Sequence, residues 1–285
     1  MRIVVTGATG HLGRLVIDGL LDRVPAGQLV AVVRDREKAA PLADRGIALH
    51  VADYGQPSTL DKLFAAGDRV LLVSGNEVGE DRAAQHTAVI DAARAADVAL
   101  LAYTSAPGTL TAALGDAHRG TERALLASGL PYVLLRNNWY TEVYTEALAP
   151  VLEHGAVVQA AGDGRIASAT RADYAAAAVA VLTGEGHEGR TYELGGDTAW
   201  SFAEYAAELS RRTGRKIPYK QVSIDAYTEI LTGAGLPASL AEIIAGVDVS
   251  IEKGELAETN GDLSRLIGRP ATPLTDSIET ALKSH

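Results

Sequence analysis

The sequence predicts a doubly wound α/β fold, a parallel sheet covered by helices on both faces, with a smaller α+β lobe toward the C-terminal end. Two observations lead there. Short runs of valine, leucine and isoleucine alternate with stretches of helical periodicity through the first two-thirds of the chain, the pattern of strand–helix–strand crossovers. The first run, Ile3-Val4-Val5, also feeds directly into a glycine-rich turn, Gly7-Ala8-Thr9-Gly10-His11-Leu12-Gly13, followed by a helix-like stretch through Leu20-Leu21.

The elements follow in order. The valine-rich run 28–33 reads as a buried second strand, with a third at Ile47–Val51, a fourth at Val70–Val73 and a fifth at Val98–Ala102. Helical segments at Leu60–Phe64 and Ala83–Ala96 separate them. Gly120–Ser128 reads as another helix, closed by Gly129 and Pro131 before a sixth strand at Tyr132–Leu135. Beyond Trp139 the rhythm loosens. A helix at Arg171–Leu182 and a strand at Thr191–Leu194 are expected to return to the sheet. Helices at Phe202–Thr213, Ile224–Leu231, Pro237–Lys253 and Leu274–Lys283, with a strand at Ile217–Val222, are expected to build a cap over the site. The expected division is therefore residues 1–150 as nucleotide-binding domain with return segments at 171–196, and 151–285 mainly as an interdigitated substrate-covering lobe. The alanines of 175–180 suit tight helix-on-sheet packing.

The glycine turn carries the first functional inference. One glycine allows the tight bend, a second lets the backbone approach a pyrophosphate, and the helix that starts there aims N–H groups and its dipole at the anion. Gly7, Ala8, Thr9, Gly10, His11, Leu12 and Gly13 are thus candidate cofactor contacts in a Rossmann-type domain, because the turn lies between a strand and a helix as a dinucleotide fingerprint requires. Enzymes that use NAD commonly carry an acidic residue at the end of the second strand. Here Arg34 stands there, and its planar guanidinium suits a 2′-phosphate, with Arg36 and Lys38 nearby; NADPH is the expected cofactor. Asp35 is the contrary residue, since a strand ending one residue later would set a carboxylate against the ribose.

Ligands of open parallel sheets lie beyond the carboxyl ends of the strands. Asp53 after strand three is therefore a candidate adenine contact, and Ser74-Gly75-Asn76, Tyr103-Thr104-Ser105 and Asn137 are candidates for cradling ribose and nicotinamide. Asn138, Trp139 and Tyr140 are expected to meet the substrate, the two aromatics offering a flat apolar wall for a planar ring.

Composition narrows the field. The chain has 285 residues, 47% of them apolar, and a formal charge of −10, which repels nucleic acid. It has no cysteine, so disulfides, thiolate metal sites and a cysteine nucleophile are excluded. Its seven histidines show no metal-ligand spacing; no metal is expected. The N-terminus lacks a secretory pattern and no apolar run is long enough to span a bilayer, so a cytoplasmic protein without membrane contact is expected. A homodimer stays open.

The chemistry is marked by an omission. Short-chain dehydrogenases usually work an alcohol with a Tyr-x-x-x-Lys pair, whose ammonium lowers the phenol's pKa. No tyrosine here has a lysine four residues on, and no lysine occurs between Lys62 and Lys216. An acceptor that takes hydride without strong acid assistance fits better, and a quinone is one, since hydride arrival yields a stabilised phenolate.

The segments VTGATGHLG, AVVRDREKA, ADYGQP, LAYTS, LLRNNWYTE, AAGDGRIASATRADYAAAA and SRLIG together resemble the NmrA-like, atypical short-chain dehydrogenase family over nearly the full length. The closest likeness is to its bacterial NAD(P)H-dependent quinone oxidoreductases and triphenylmethane reductases. The resemblance implies NADPH held by the glycine turn and Arg34, no flavin, and a pocket for a small planar quinone between the Rossmann domain and the C-terminal lobe. Plant reductases of the same superfamily place a catalytic lysine about thirteen residues before the proline that opens strand six. Counting back from Pro131 gives His118, the candidate proton donor, with Tyr103 and Tyr140 as rivals. NmrA-like relatives also include dinucleotide-sensing regulators that act through a protein partner, and others reduce triphenylmethane or azo dyes, so both readings stand beside quinone reduction.

Overall fold

The computed structural model describes residues 1–75, 80–108, 110–111 and 113–284. The described residues form β1 (Ile3–Val5), α1 (His11–Leu21), β2 (Leu29–Val33), α2 (Ala40–Ala43), β3 (Ala48–Val51), β4 (Arg69–Leu72), α3 (Glu80–Ala95), β5 (Leu100–Ser105), α4 (Ala113–Ala127) and β6 (Tyr132–Asn137). Then follow α5 (Glu142–Thr145), α6 (Leu148–His154), β7 (Val157–Gln159), β8 (Arg165–Ile166), α7 (Arg171–Thr183), β9 (Arg190–Leu194), β10 (Trp200–Ser201) and α8 (Phe202–Thr213). The chain closes with β11 (Tyr219–Gln221), α9 (Ile224–Gly233), α10 (Ala238–Glu252), α11 (Asp262–Ile267) and α12 (Leu274–Leu282).

Seven of these strands make one parallel sheet in the order β3-β2-β1-β4-β5-β6-β9. The order reverses between β1 and β4, and such a switch point opens a crevice beyond the strands' carboxyl ends. Alternation along each strand supplies two cores. Ile3, Val5, Ala31 and Leu135 face α1 and α7, where they meet Ile17, Leu20, Tyr174 and Leu182. Val4, Val70, Leu72 and Leu101 face α3 and α4, against Val89, Ile90 and Leu125. The small alanines of α7 bring it close to α1, and a side chain added at Gly19 would touch Val179 at 3.0 Å. A third core, with Tyr144, Trp200, Phe202, Tyr205, Leu209 and Ile251, fills the C-terminal lobe. There β10 pairs antiparallel with β8, and β11 pairs parallel with β7.

Several boundaries differ from expectation. The helix expected at Leu60–Phe64 is a 3-10 turn over Pro57–Leu60; Leu60, Leu63 and Phe64 are nevertheless buried. The fifth strand runs on to Ser105 because β4 and β6 flank it, with Thr104 opposite Leu135 and Ser105 opposite Arg136. The sixth likewise runs on to Asn137, paired with Leu194 of β9. Helix α8 spans the expected residues, set by a capping box of Ser201 with Glu204 and by Gly214 in the left-handed region after its end.

Candidate active site

The glycine turn sits where β1 delivers it. Gly7 has φ +59, a conformation suited to a residue without Cβ, and its carbonyl accepts the Gly10 N–H at 2.9 Å. A Cβ at Gly13 would overlap that carbonyl oxygen and lie 2.9 Å from Ala8 Cα, so α1 can start this close to β1 only with glycine there. Helix α1 has no side-chain cap and no acidic residue in its first turn. Its leading N–H groups are left for an anion. Gly7, Thr9, Gly10, His11, Leu12 and Gly13 line a cavity of about 950 Å³. Ala8 does not; it is fully buried beneath the turn, its N–H directed at Val32 O, because the bend turns it toward the sheet.

At the end of β2 Arg34 and Asp35 have different surroundings. β2 stops at Val33, so Arg34 is the first residue past the edge; it is exposed and lines the cavity. The Asp35 carboxylate turns the other way and accepts the N–H groups of Glu37 (2.9 Å) and Lys38 (3.1 Å). These bonds hold its pKa below the usual range, the Lys38 N–H first among them. Asp53 lines the cavity after β3, its Oδ1 accepting Gly55 N–H at 2.9 Å. Ser74 and Gly75 follow β4 onto the wall, while Asn76 lies outside the described residues.

Thr104 and Ser105 belong to β5 itself and still line the cavity. Thr104 Oγ1 accepts the Ser74 N–H at 2.9 Å, and the Ser105 hydroxyl donates to Glu122 at 2.6 Å. Tyr103, which alternates to the opposite face of the strand from Thr104, is wholly buried in the α3/α4 core and is absent from the cavity wall. It shares that face of β5 with Ser105 but lies two residues farther from the strand end that reaches the cavity, so the core covers it. Its hydroxyl instead pairs with His118 Nδ1 at 2.8 Å, and burial pushes the phenol up to about 12.

His118 does line the cavity, but as a neutral ring: burial, and then the charge of Arg82, lower its pKa to about 3. Arg82 N–H points at His118 Nε2 at 3.4 Å. Since arginine only donates, that nitrogen is the acceptor and Nδ1 carries the proton toward Tyr103. His86 repeats the arrangement: Nε2 accepts the Gly75 N–H at 3.0 Å, Nδ1 faces Thr121 Oγ1 at 2.9 Å, and burial with Arg82 lowers its pKa to about 4. His118, the candidate proton donor, thus faces the cavity in an environment that favours the neutral ring, with its Nδ1 in hydrogen bond to Tyr103.

At the end of β6 and just beyond it, Asn137, Asn138, Trp139 and Tyr140 all reach the wall. Asn137 Oδ1 is buried with no hydrogen-bond partner among the described residues. Asn138 Nδ2 donates to Leu256 O at 3.1 Å and its Oδ1 accepts the Trp139 N–H at 2.6 Å, bonds that fix the amide at the wall. Tyr140 stacks edge-on to Tyr174 with Arg171 5.2 Å above its ring, and burial raises its phenol pKa. Sequence reading missed Arg82, Gln85, Leu110, Arg171 and Leu256 on the wall. Arg82 and Gln85 lie inside a helix, and Leu256 comes from more than a hundred residues away, so strand-end logic could not reach them. Among the described residues no three His, Cys, Asp or Glu side chains could hold a metal ion together, and no helix is long and apolar enough to cross a membrane.

A glycine-rich turn, an open helix N-terminus and an arginine at the second strand's edge fit a phosphorylated dinucleotide, and the orphaned Asn137 oxygen offers an acceptor to an amide. The fold and this cleft define a dinucleotide-binding oxidoreductase. The chain belongs to the NAD(P)H-binding family, whose model matches residues 7–185. It is 48% identical over 278 residues to quinone oxidoreductase 2 of Escherichia coli (strain K12), covering 97% of each chain. The crystal structure of the NADPH-dependent quinone oxidoreductase QOR2 of Escherichia coli complexed with NADPH superposes with a TM-score of 0.95 at 46% identity, covering 98% of this chain and 99% of that one. The Citrobacter sp. triphenylmethane reductase complexed with NADP(H) superposes with a TM-score of 0.93 at 41% identity, over 99% of this chain and 100% of that one.

Proposed function

We propose that this protein is an NADPH-dependent quinone oxidoreductase. The observation that carries the reading is a single cavity running from the glycine turn and Arg34 to an aromatic wall at Trp139 and Tyr140, with neither lysine nor a protonated histidine at that wall. Bound NADPH supplies a hydride at its nicotinamide ring. The chain supplies position. Arg34 grips the 2′-phosphate, the N–H groups of the turn hold the pyrophosphate, and Ser74, Gly75, Thr104 and Asn137 keep the nicotinamide end in place. Residues 1–150 with 171–196 act as the cofactor-holding body, and the remaining lobe closes the acceptor side.

Trp139 and Tyr140 present faces to a flat quinone, and a two-electron acceptor of that kind needs no buried acid. Tyr140, whose phenol is raised by burial, keeps its proton and gives a hydrogen bond to an acceptor oxygen, while water delivers the net proton. The test is steady-state reduction of a benzoquinone and naphthoquinone series with NADPH and with NADH, followed by loss of reduced-nicotinamide absorbance. NADPH consumption matched to quinone is expected. Binding of NADPH without turnover of any quinone would instead favour a sensing role.

A further inference from the structure

A polar network behind the cavity wall fixes which way one hydroxyl points. Ser105 ends β5, is 5% exposed and lines the cavity; its hydroxyl donates to Glu122 Oε1 at 2.6 Å. Glu122, buried on α4, is gripped from its other side by Arg136, whose Nε donates to Oε1 at 2.9 Å and whose Nη2 donates to Oε2 at 2.7 Å. Arg136 Nη1 reaches Glu193 Oε1 at 2.6 Å, and a Cβ at Gly108 would collide with that nitrogen, so the chain after β5 passes close over the guanidinium. A guanidinium has donors only, and its fork on both oxygens of Glu122 sets the plane of the carboxyl group. Held in that way, Glu122 presents Ser105 with an acceptor, and the one proton of the hydroxyl is used there. The Ser105 oxygen keeps its lone pairs, and among the described residues no donor meets them.

We infer that Glu122 and Arg136 are positioning residues: by fixing the Ser105 hydroxyl as a donor to the carboxylate, they turn its oxygen into an acceptor toward the cavity, where it takes an N–H of the nicotinamide carboxamide. The inference deepens the NADPH reading and rests on it. Quinone oxygens only accept, so they gain nothing from these lone pairs, whereas the carboxamide carries two N–H bonds. Ser105 stands at the nicotinamide end, beside Thr104 on the same strand and across from Arg136, the neighbour of Asn137. An amide turned the other way would set its carbonyl oxygen against the Ser105 lone pairs. One orientation of the carboxamide is thereby selected, by two residues that touch neither cofactor nor acceptor.

The test reads a ratio of affinities and needs no turnover. Calorimetric titration compares NADP+ with its 3-acetylpyridine analogue, which keeps the carbonyl and lacks the NH2 group. The wild type is expected to bind NADP+ about tenfold more tightly, the loss of one N–H bond to a buried acceptor. Ser105→Ala should cut that ratio by about threefold or more, and Ser105→Thr, which keeps the hydroxyl, should retain it within about twofold. Glu122→Ala should also cut it by about threefold or more, because a released hydroxyl turns and donates to the carbonyl that both ligands carry. A Glu122 that only supports the fold would weaken both ligands together and leave the ratio unchanged. A ratio near one in the wild type, or a wild-type ratio retained in Ser105→Ala or in Glu122→Ala, overturns the inference. Should Glu122→Ala fail to fold, Glu122→Asp takes its place with the same expectation, since its shorter side chain keeps the charge for Arg136 and draws back from Ser105. A protein that binds neither nucleotide rejects the NADPH reading itself, whereas one that binds both alike rejects only the role of Ser105 and its two supports.

Discussion

At the residue scale, the proposed preference for NADPH rests on where β2 ends. Arg34 clears the edge of β2, and Asp35 spends its carboxylate on two backbone N–H groups of the next turn. Charge-assisted contact with phosphate contributes about 1.5–3 kcal/mol, so Arg34→Ala is expected to weaken NADPH binding by about 10- to 100-fold and NADH by much less. Fluorescence titration with both cofactors checks it, and equal losses would remove the phosphate assignment. His118 yields a second expectation. With its pKa lowered to about 3, its ring does not change charge between pH 5 and 8, so kcat/KM should show no inflection near 6.5, and one that disappears in His118→Gln would contradict the assignment. Arg34 was legible because strand-end chemistry depends on a local run of valines. Tyr103 was not, because its facing depends on where β5 ends, and that is set by ladders from β4 and β6 rather than by its own residues.

Between β1 and α1, the element scale, two glycines do different work. Gly13 is fixed by backbone packing, whereas Gly10 lines the cavity and a Cβ there would stand 3.2 Å from the Gly7 carbonyl oxygen. Gly13→Ala is expected to lower the melting temperature by several degrees, since overpacking costs about 1–3 kcal/mol. Gly10→Val is expected to melt closer to wild type than Gly13→Ala and to lose NADPH binding, because Gly10 lines the cavity and its contact with the Gly7 carbonyl, at 3.2 Å, is milder than that at Gly13. Thermal melts paired with NADPH titration separate them, and a Gly10→Val protein that binds NADPH within threefold of wild type would contradict the role of the turn. The glycine turn was readable because it is a local pattern of a few residues. The turn at Pro57–Leu60 was not, since three buried apolar residues look alike whether a helix or a loop carries them to the core.

At the scale of the whole molecule, the lobe carries a group whose ionisation opposes folding. Asp248 of α10 is 2% exposed, accepts the Ala160 N–H at 2.7 Å, and lies near Tyr144, Tyr219 and Tyr227; burial pushes its pKa up to about 7. A folded-state value above the unfolded one means that the folded form holds the proton more tightly. Its contribution is therefore full below about pH 4 and is lost as pH rises through about 7. Asp248→Asn is expected to raise the melting temperature at pH 8 and to leave it nearly unchanged at pH 4; an equal shift at both values would show that the carboxylate is not the cause. The order of strands and the return of β9 to the sheet follow from crossover rules. The burial of Asp248 does not, because it arises where α10 meets the loop after β7, far apart in sequence.

The central claim is that a reduced phosphorylated nicotinamide lies along the carboxyl edge of the sheet with one face open to a planar acceptor. A crystal structure of the protein soaked in NADPH tests it most directly. The account predicts pyrophosphate on the N–H groups of the Gly7–Gly13 turn, the 2′-phosphate at Arg34, and the nicotinamide face turned toward Trp139 and Tyr140. An empty turn, or a nicotinamide covered on both faces by side chains, would contradict it.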